Sequence, residues 1–248
     1  MHKIYYYYYR ILSLSLYHFY HFWENKQSIL KNGVILMFHH ITDEDVNISP
    51  SCKCTISQFT SILDWLENKH IPIISLDEYL AHTQRYKKGG FAILTFDDIS
   101  ENVYEIAYPI LKKRKLPFTV YIATNFLDKP GYIKKEQLLK LNQESLCTIG
   151  SHSVTHCYLR HSKELKKELN ESKEILEKLT GKKISHFAYP YGTPFAVSLK
   201  TIYTVWKSSY CSAVSAIPST LNKLTANMKF YLPRIDNAEF LKNITKLQ

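Results

Sequence analysis

From residue 33 onward, the sequence alternates short apolar runs with longer amphipathic segments. The apolar runs are Val34–Phe38, Ile71–Ser75, Phe91–Phe96, Phe118–Ala123, Leu146–Gly150, Ile184–Tyr189, Cys211–Ile217 and Phe230–Ile235. Each is rich in β-branched or aromatic residues, which is typical of strands buried on both faces of a sheet. The segments between them predict helices near 56–69, 77–86, 101–115, 134–142, 161–180, 195–208 and 238–246.

Strands and helices that alternate at this spacing require parallel strands joined by crossover helices. The number of strand candidates is enough to close a sheet on itself, so we predict an α/β fold, a distorted (β/α) barrel of seven or eight parallel strands. No linker or internal repeat interrupts residues 33–248, which are predicted to form a single domain. In the helix predicted at 161–180, Ser162 is placed to cap the start and Gly181 to end it.

The composition is that of a globular protein. Of 248 residues, 45% are hydrophobic and 22% charged, which excludes a disordered chain and a multi-span membrane protein. The formal charge of +10 indicates either a solvated basic surface or an acidic partner such as an anionic glycan or a membrane surface. The basic run Lys112–Lys115 is placed at a helix end, and no phosphate-binding glycine loop is present, so we expect no nucleic-acid partner.

Residues 1–32 form a separate, aromatic-rich segment. Residues 4–23 carry a single formal charge, at Arg10, and no cleavage site is recognisable. The tyrosines, together with His18 and His21, argue against a membrane span. We predict a helix that either packs on the domain or makes peripheral contact with a membrane. With five cysteines, an odd number, we expect a cytoplasmic or membrane-peripheral protein, while an extracytoplasmic location stays open.

The motif Thr95-Phe96-Asp97-Asp98 ends the most apolar strand candidate. Two adjacent carboxylates repel each other, and burial adds to the cost of charging both, so both stay ionised only beside a metal ion or another cation. The alternative is structural, since Asp98 or Ser100 could cap the helix predicted from residue 101.

The motif Ser151-His152-Ser153-Val154-Thr155-His156 follows another strand candidate. Two imidazoles four residues apart can converge on one ion, and with one carboxylate they form a three-ligand set that leaves positions open. Alternatively, both histidines are ordinary polar loop residues. A third motif, Phe187-Ala188-Tyr189-Pro190-Tyr191-Gly192, also follows a strand, and its rigid turn could aim a backbone N–H at an oxyanion.

These three motifs, in this order, resemble those of the polysaccharide deacetylase family, the NodB-homology domain of carbohydrate esterase family 4. The resemblance covers roughly residues 33–240. It implies a distorted (β/α) barrel that removes N-acetyl groups from aminosugar polymers with a divalent metal, usually zinc. On this resemblance Asp97 is the general base, and Asp98, His152 and His156 are the metal ligands. Tyr191 matches the residue whose backbone N–H holds the oxyanion.

The chain departs from the family pattern in several places. Family members usually have Gly where this chain has Ile99, and an Arg that steadies the catalytic aspartate where it has Ala188. Arg234 is placed to supply the missing charge, although it could instead pair with Asp236 or solvent. The fourth motif's aspartate is not recognisable around residues 210–217, and the leaving-group histidine of the fifth motif has no counterpart near Arg234. His39 is a candidate substitute, with a hydrogen-bonded loop histidine as the alternative.

The predicted function is therefore a metal-dependent hydrolase that removes N-acetyl groups from aminosugars of a surface polysaccharide or its precursor. Two alternatives stay open. The same site could remove an O-acetyl ester, because ester and amide share a tetrahedral intermediate. The departures at Ile99 and Ala188 also allow a catalytically inactive glycan-binding domain. The expected partner is an N-acetylated glycan substrate.

Overall fold

The structure is a computed structural model that describes residues 31–245, apart from 46–47, 50, 84–85, 87–88 and 223–224. The helix predicted within residues 1–32 lies outside these residues, except for its last two positions. No helix in the described part of the chain has the length and apolar character that a membrane crossing requires.

A parallel seven-stranded sheet forms the centre of the fold, in the order β8-β7-β6-β5-β4-β1-β9. Its strands are β1 (Gly33–Phe38), β4 (Phe91–Phe96), β5 (Phe118–Ile122), β6 (Cys147–Ser151), β7 (His186–Ala188), β8 (Ser212–Val214) and β9 (Ile235–Asp236). Two further strands, β2 (His40–Ile41) and β3 (Lys53–Cys54), form a separate parallel pair. The predicted parallel (β/α) architecture is confirmed, with seven strands in the curled sheet.

Helices flank the sheet, and polar side chains set several of their first residues. The helices are α1 (Ile56–Asn68), α2 (Leu76–Ala81), α3 (Tyr108–Arg114), α4 (Lys135–Gln143), α5 (Leu165–Thr180), α6 (Leu199–Lys207) and α7 (Asn237–Thr245). Thr55 caps α1 and Ser75 caps α2, each by accepting a backbone N–H. A π-helical turn, Val103–Ala107, precedes α3. The predicted cap at Ser162 is wrong, because α5 begins at Leu165 after a short 3₁₀ turn, whereas Gly181 ends it as predicted.

Two buried clusters lie on opposite faces of the sheet, because side chains alternate along each strand. The inner cluster includes Ile35, Ile93, Tyr121, Ala188 and Val214. The outer cluster fills the space between the sheet and the helices and includes Leu36, Leu94 and Val120. The inner face also carries the polar residues described below, so the barrel interior is polar toward one end.

The two edges of the sheet are joined by the irregular segment 229–234. Ala213 donates a backbone hydrogen bond to Lys229, Leu232 donates to Ala213, and Ser215 donates to Leu232, so this segment runs alongside β8. The chain then enters β9, which pairs with β1 on the other edge through Leu36 and Ile235. The sheet is thus joined edge to edge by hydrogen bonds that do not form a regular ladder.

Two predicted strands are wrong. The run Ile71–Ser75 makes only an isolated bridge, between Ile73 and Ala92. The run Phe230–Ile235 is irregular until Ile235. Each run contains a proline, Pro72 or Pro233, whose missing N–H interrupts a hydrogen-bond ladder.

Candidate active site

The ends of β1, β4 and β6 bring three of the predicted site residues together. His39 follows β1, Asp97 follows β4 and His152 follows β6. Backbone hydrogen bonds fix their relative positions, because the Asp97 N–H donates to the Phe38 carbonyl at 2.9 Å and the His152 N–H to the Ile122 carbonyl at 2.8 Å. The carboxyl ends of parallel strands meet at one end of the sheet, which is where such folds place functional side chains.

Asp98, His152 and His156 form a compact set of ligand atoms. One atom from each, a carboxylate oxygen and two imidazole nitrogens, lies within 4.8 Å of the others. Asp98 Oδ1 lies 3.3 Å from His156 Nε2 and 3.6 Å from His152 Nε2. This oxygen is buried and makes no hydrogen bond within the described part of the chain. His152 Nδ1 is hydrogen-bonded to the Ala188 carbonyl at 2.7 Å, which orients the ring and leaves Nε2 toward Asp98.

The charge state of this set fits a cation. Burial lowers the pKa of His152 to about 3 and also lowers the pKa of His156, so both imidazoles are neutral and able to act as ligands. Burial, and then the like charge of Asp97, raise the pKa of Asp98 to about 7. A cation beside Asp98 would oppose both effects. The orphaned Asp98 oxygen and the neutral imidazoles therefore make a donor set suited to a divalent metal.

Asp97 forms a bidentate ion pair with Arg234. Nη1 of Arg234 donates to Oδ1 at 2.7 Å, and Nη2 donates to Oδ2 at 2.5 Å. The guanidinium is held in turn by the Ser215 carbonyl, which accepts from Nε at 2.8 Å, and by Thr95 Oγ1, which accepts from Nη1 at 3.1 Å. Burial raises the pKa of the Asp97 carboxyl, but the adjacent Arg234 charge overcomes this and holds that pKa well below its usual range.

Arg234 reaches Asp97 from the joining segment rather than from a strand end. Its neighbour Ile235 pairs with Leu36 of β1, so Arg234 lies deeper in the barrel than Asp97. Its side chain is only 1% exposed and extends along the barrel interior. Ala188, where the family places an arginine, is also buried on the inner face, so the guanidinium comes from the opposite edge of the sheet.

The turn after Asp97 is built without glycine. Asp98 and Ile99 both have positive φ angles, 58° and 31°. The β-branched Ile99 is disfavoured there, at a cost of about 1–2 kcal/mol. Its buried side chain packs in the outer cluster, and its carbonyl accepts from the Ile133 N–H at 3.1 Å. Asp98 does not cap a helix, so this strained turn serves to aim its carboxylate at the two histidines.

His39 lies near Asp97 and Arg234, whose charges both act on its imidazole. Burial lowers its pKa to about 4, while the charge of Asp97 acts in the opposite direction. Its Nδ1 is buried and makes no hydrogen bond with any described residue. At Nδ1, therefore, His39 does not have the hydrogen bond expected of an ordinary loop histidine.

Tyr191 lies beside the ligand set, at the turn after β7. Its φ of 60° is left-handed, and the following Gly192 has a φ of 56°. Gly192 is required there, because a Cβ would come within 2.3 Å of the Ala216 nitrogen. The Tyr191 ring lies 4.8 Å from the His156 ring and stacks on Tyr158 at 4.0 Å, with an interplanar angle of 9°.

Sequence reasoning missed several groups that hold the site together. Tyr158 belongs to no motif, although its position two residues after His156 was a signal that it lies nearby. The carbonyls of Ala188 and Ser215 bind His152 and Arg234, and a backbone acceptor has no side-chain signature in a sequence. Thr95 was part of a recognised motif, but only the structure shows that its hydroxyl accepts from Arg234.

Solved structures share this fold. A polysaccharide deacetylase from Bacillus cereus superposes with a TM-score of 0.73 at 22% identity, covering 87% of this chain and 69% of that one. A deacetylase from Streptococcus pyogenes gives a TM-score of 0.72 at 22% identity, covering 86% of this chain and 98% of that one. IcaB from Ammonifex degensii gives a TM-score of 0.71 at 20% identity, covering 83% of this chain and 91% of that one.

Sequence comparison identifies the family. The chain is 34% identical over 157 residues to the poly-β-1,6-N-acetyl-D-glucosamine N-deacetylase of Staphylococcus aureus, covering 55% of this chain and 52% of that protein. It therefore spans about half the length of the curated relatives it matches. The family described as polysaccharide deacetylase matches residues 84–207, which include the Asp97-Asp98 pair, both histidines and Tyr191. Since this match extends over half of the sequence, the chain belongs to the polysaccharide deacetylase family.

Proposed function

We propose that this protein is a metal-dependent hydrolase that removes N-acetyl groups from the aminosugars of a polysaccharide. The observation that carries the proposal is the arginine-paired carboxylate of Asp97 directly beside the Asp98, His152 and His156 ligand set. A base that stays ionised next to a metal-binding set is what hydrolysis of an unreactive amide requires.

The Asp98, His152 and His156 side chains would hold the metal, with zinc proposed as its identity. Two imidazoles and one carboxylate suit zinc, and three protein ligands leave positions open for water and substrate. A divalent ion held there would supply Lewis acidity, which polarises a carbonyl and lowers the pKa of water.

Asp97 is proposed as the general base. Arg234 keeps its carboxylate ionised despite burial, so the base is ready to accept a proton from water at neutral pH. Both carboxylate oxygens are bonded to Arg234, which fixes the carboxylate plane before substrate arrives. The backbone N–H of Tyr191 is proposed to stabilise the oxyanion, since the turn that carries it is rigid and lies beside His156.

His39 is proposed as the group that protonates the leaving amine. Its pKa of about 4 means that it is neutral at neutral pH, so it would have to receive the proton that Asp97 takes from water before it can transfer that proton to the amine. The nearby Asp97 charge favours the protonated form, and the unpartnered Nδ1 leaves a nitrogen available.

The proposed substrate is a poly-N-acetylglucosamine of the β-1,6-linked type, which is what the staphylococcal relatives are named for. The exposed Tyr158 and Tyr191 rings beside the ligand set offer apolar faces on which a sugar ring can pack.

Acetate release tests this proposal. The purified chain, loaded with zinc, would be incubated with N-acetylated β-1,6-linked glucosamine oligomers, N-acetylated β-1,4-linked oligomers and an O-acetylated glycan. We expect zinc-dependent acetate release, fastest from the β-1,6-linked oligomers, and none from the Asp97→Asn variant. A folded, metal-loaded protein that releases no acetate from any of the three would reject the hydrolase in favour of a glycan-binding domain.

An O-acetyl esterase is the second candidate, and the low pKa of His39 favours it. An alkoxide leaves with less need of a proton than an amine does, so a weak proton donor limits ester cleavage less. Acetate released from the O-acetylated glycan but not from the N-acetylated oligomers would support the esterase.

A further inference from the structure

Glu168 of α5 binds the loop that carries both histidine ligands. Its Oε2 accepts the backbone N–H groups of Val154 and Thr155, each at 3.0 Å, and its Oε1 accepts from the Thr155 hydroxyl at 2.8 Å. The bound residues lie between His152 and His156, so the carboxylate holds the middle of the loop.

The loop needs such an anchor because its backbone is unfavourable. Ser153 and His156, neither of them glycine, have φ angles of 67° and 57°. Left-handed backbone costs each of them roughly 1–2 kcal/mol. Of the other bonds that hold the loop, the Ser153 hydroxyl accepts the His156 N–H at 3.1 Å, and the Ser153 and Val154 carbonyls accept N–H groups from residues 124 and 125.

The carboxylate is committed to this loop. Glu168 is 9% exposed, and within the described chain no Lys, Arg or His nitrogen lies at ion-pair distance from it. It stands in the first turn of α5, where the helix dipole favours a negative charge. One turn later, Ser172 of the same helix is hydrogen-bonded at 2.7 Å to Ser151, which directly precedes His152. Helix α5 thus holds the last residue of β6, just before the loop, and the centre of the loop itself.

From this arrangement we propose that Glu168 is a positioning residue for the metal centre. It holds the loop so that His152 and His156 can both bind one ion. This inference rests on the metal site of the proposed function. Without the carboxylate, the buried N–H of Val154 and the partly buried N–H of Thr155 lose their partner, and the loop can relax out of the left-handed conformations that bring the imidazoles together. Glu168 touches neither metal nor substrate, so its effect is on affinity and ligand geometry.

Metal binding by the intact chain tests the proposal without an activity assay. Metal-free wild type, Glu168→Ala and Glu168→Gln would be titrated with Zn²⁺ against a chromogenic chelator, and with Co²⁺ to record its visible d–d spectrum. We expect Glu168→Ala to weaken Zn²⁺ binding by about 10-fold or more and to alter the Co²⁺ spectrum. Glu168→Gln should stay within about 3-fold, since its amide oxygen can accept both N–H groups and its NH₂ can donate to Thr155.

The matched control is Glu174→Ala, which removes an exposed carboxylate from the same helix and should leave both readouts unchanged. A folded Glu168→Ala variant with wild-type Zn²⁺ affinity and Co²⁺ spectrum would overturn the proposal. If that variant does not fold, Thr155→Val decides the matter, with about a 3-fold loss expected and no change in affinity or spectrum overturning it. A wild type that binds no divalent ion contradicts the metal site itself, and the inference with it.

Discussion

The Arg234 guanidinium and the Asp97 carboxylate form two parallel hydrogen bonds across 137 residues of sequence. Both side chains are almost fully buried, at 1% and 3% exposure. A paired charge in such a place is stable only while its partner is present, because an uncompensated buried charge is costly.

Replacing Arg234 with Met keeps much of the side-chain volume and removes the charge. We expect an unfolding free energy lower by about 3–5 kcal/mol, because Asp97 is left buried and unpaired. Because Met fills much of the space of the Arg side chain, the metal site should still bind its ion. In wild type, Arg234 holds the pKa of Asp97 low, and in the variant burial raises it, so the base is protonated at a higher pH. The acidic limb of the pH–rate profile should therefore move upward.

Denaturant titration, metal content and the pH–rate profile check this prediction. Arg114→Met is the control, since Arg114 pairs with Asp64 at 2.6 Å on the surface and its loss should change stability by less than about 1 kcal/mol. If Arg234→Met cannot be purified, Arg234→Lys should show the same upward movement to a smaller degree. An unchanged profile in a folded variant would contradict the role given to Arg234.

Replacing His152 with Ala should remove most of the bound metal, because two remaining ligands make a weak site. His152 is buried and its Nδ1 is hydrogen-bonded to the Ala188 carbonyl, so its Nε2 is held toward Asp98. Metal content after dialysis gives the measurement, with His161→Ala as an exposed control outside the ligand set. Full metal retention in His152→Ala would reject the assignment of the ligands.

Replacing His39 with Ala separates amide from ester cleavage. If His39 protonates the leaving amine, kcat for the N-acetyl substrate should fall by about 10²- to 10⁴-fold, and kcat for an O-acetyl ester should fall much less. His40→Ala, at the next position, is the control and should affect both substrates little. Equal losses on the amide and the ester in His39→Ala would indicate a role other than proton donation to the leaving group.

Replacing Tyr158 with Ala should weaken binding of long substrates. The Tyr158 ring is 51% exposed and stacks on Tyr191 beside His156, so it can contact a sugar next to the reacting one. We expect KM for oligomers to rise by about 3- to 10-fold, with kcat nearly unchanged, and the effect to disappear for a single N-acetylated sugar. Tyr203→Ala, whose ring packs against Trp206 on α6, is the control. A KM that rises equally for short and long substrates would argue against this contact.

The fold and the chemical groups of the site were predictable from the sequence because both leave local patterns. The apolar strand Phe91–Phe96 has the same bounds in the structure as in the sequence pattern, and the Asp97-Asp98 pair follows it directly. Two local signals within apolar runs were overlooked. Pro72 and Pro233 stop two apolar runs from forming ladders, although their composition is that of strands.

The role of Glu168 was hard to predict from the sequence for a different reason. It lies three residues after Leu165 and one before Leu169, on the buried stripe of α5, and a carboxylate on an apolar stripe was the only signal of its contact with the histidine loop. The partner of that carboxylate is backbone, which periodicity does not reveal. Ile99 is similar, since its positive φ contradicts the preference of its own side chain and is imposed by the surrounding tertiary structure.

The segment 229–234 joins the two edges of the sheet, and it carries Arg234. During synthesis the strand that bears Asp97 leaves the ribosome 137 residues before Arg234 does, so the carboxylate cannot meet its guanidinium until that later segment has emerged. The residues that join the sheet edges and the residue that neutralises Asp97 therefore take their places in the same folding step.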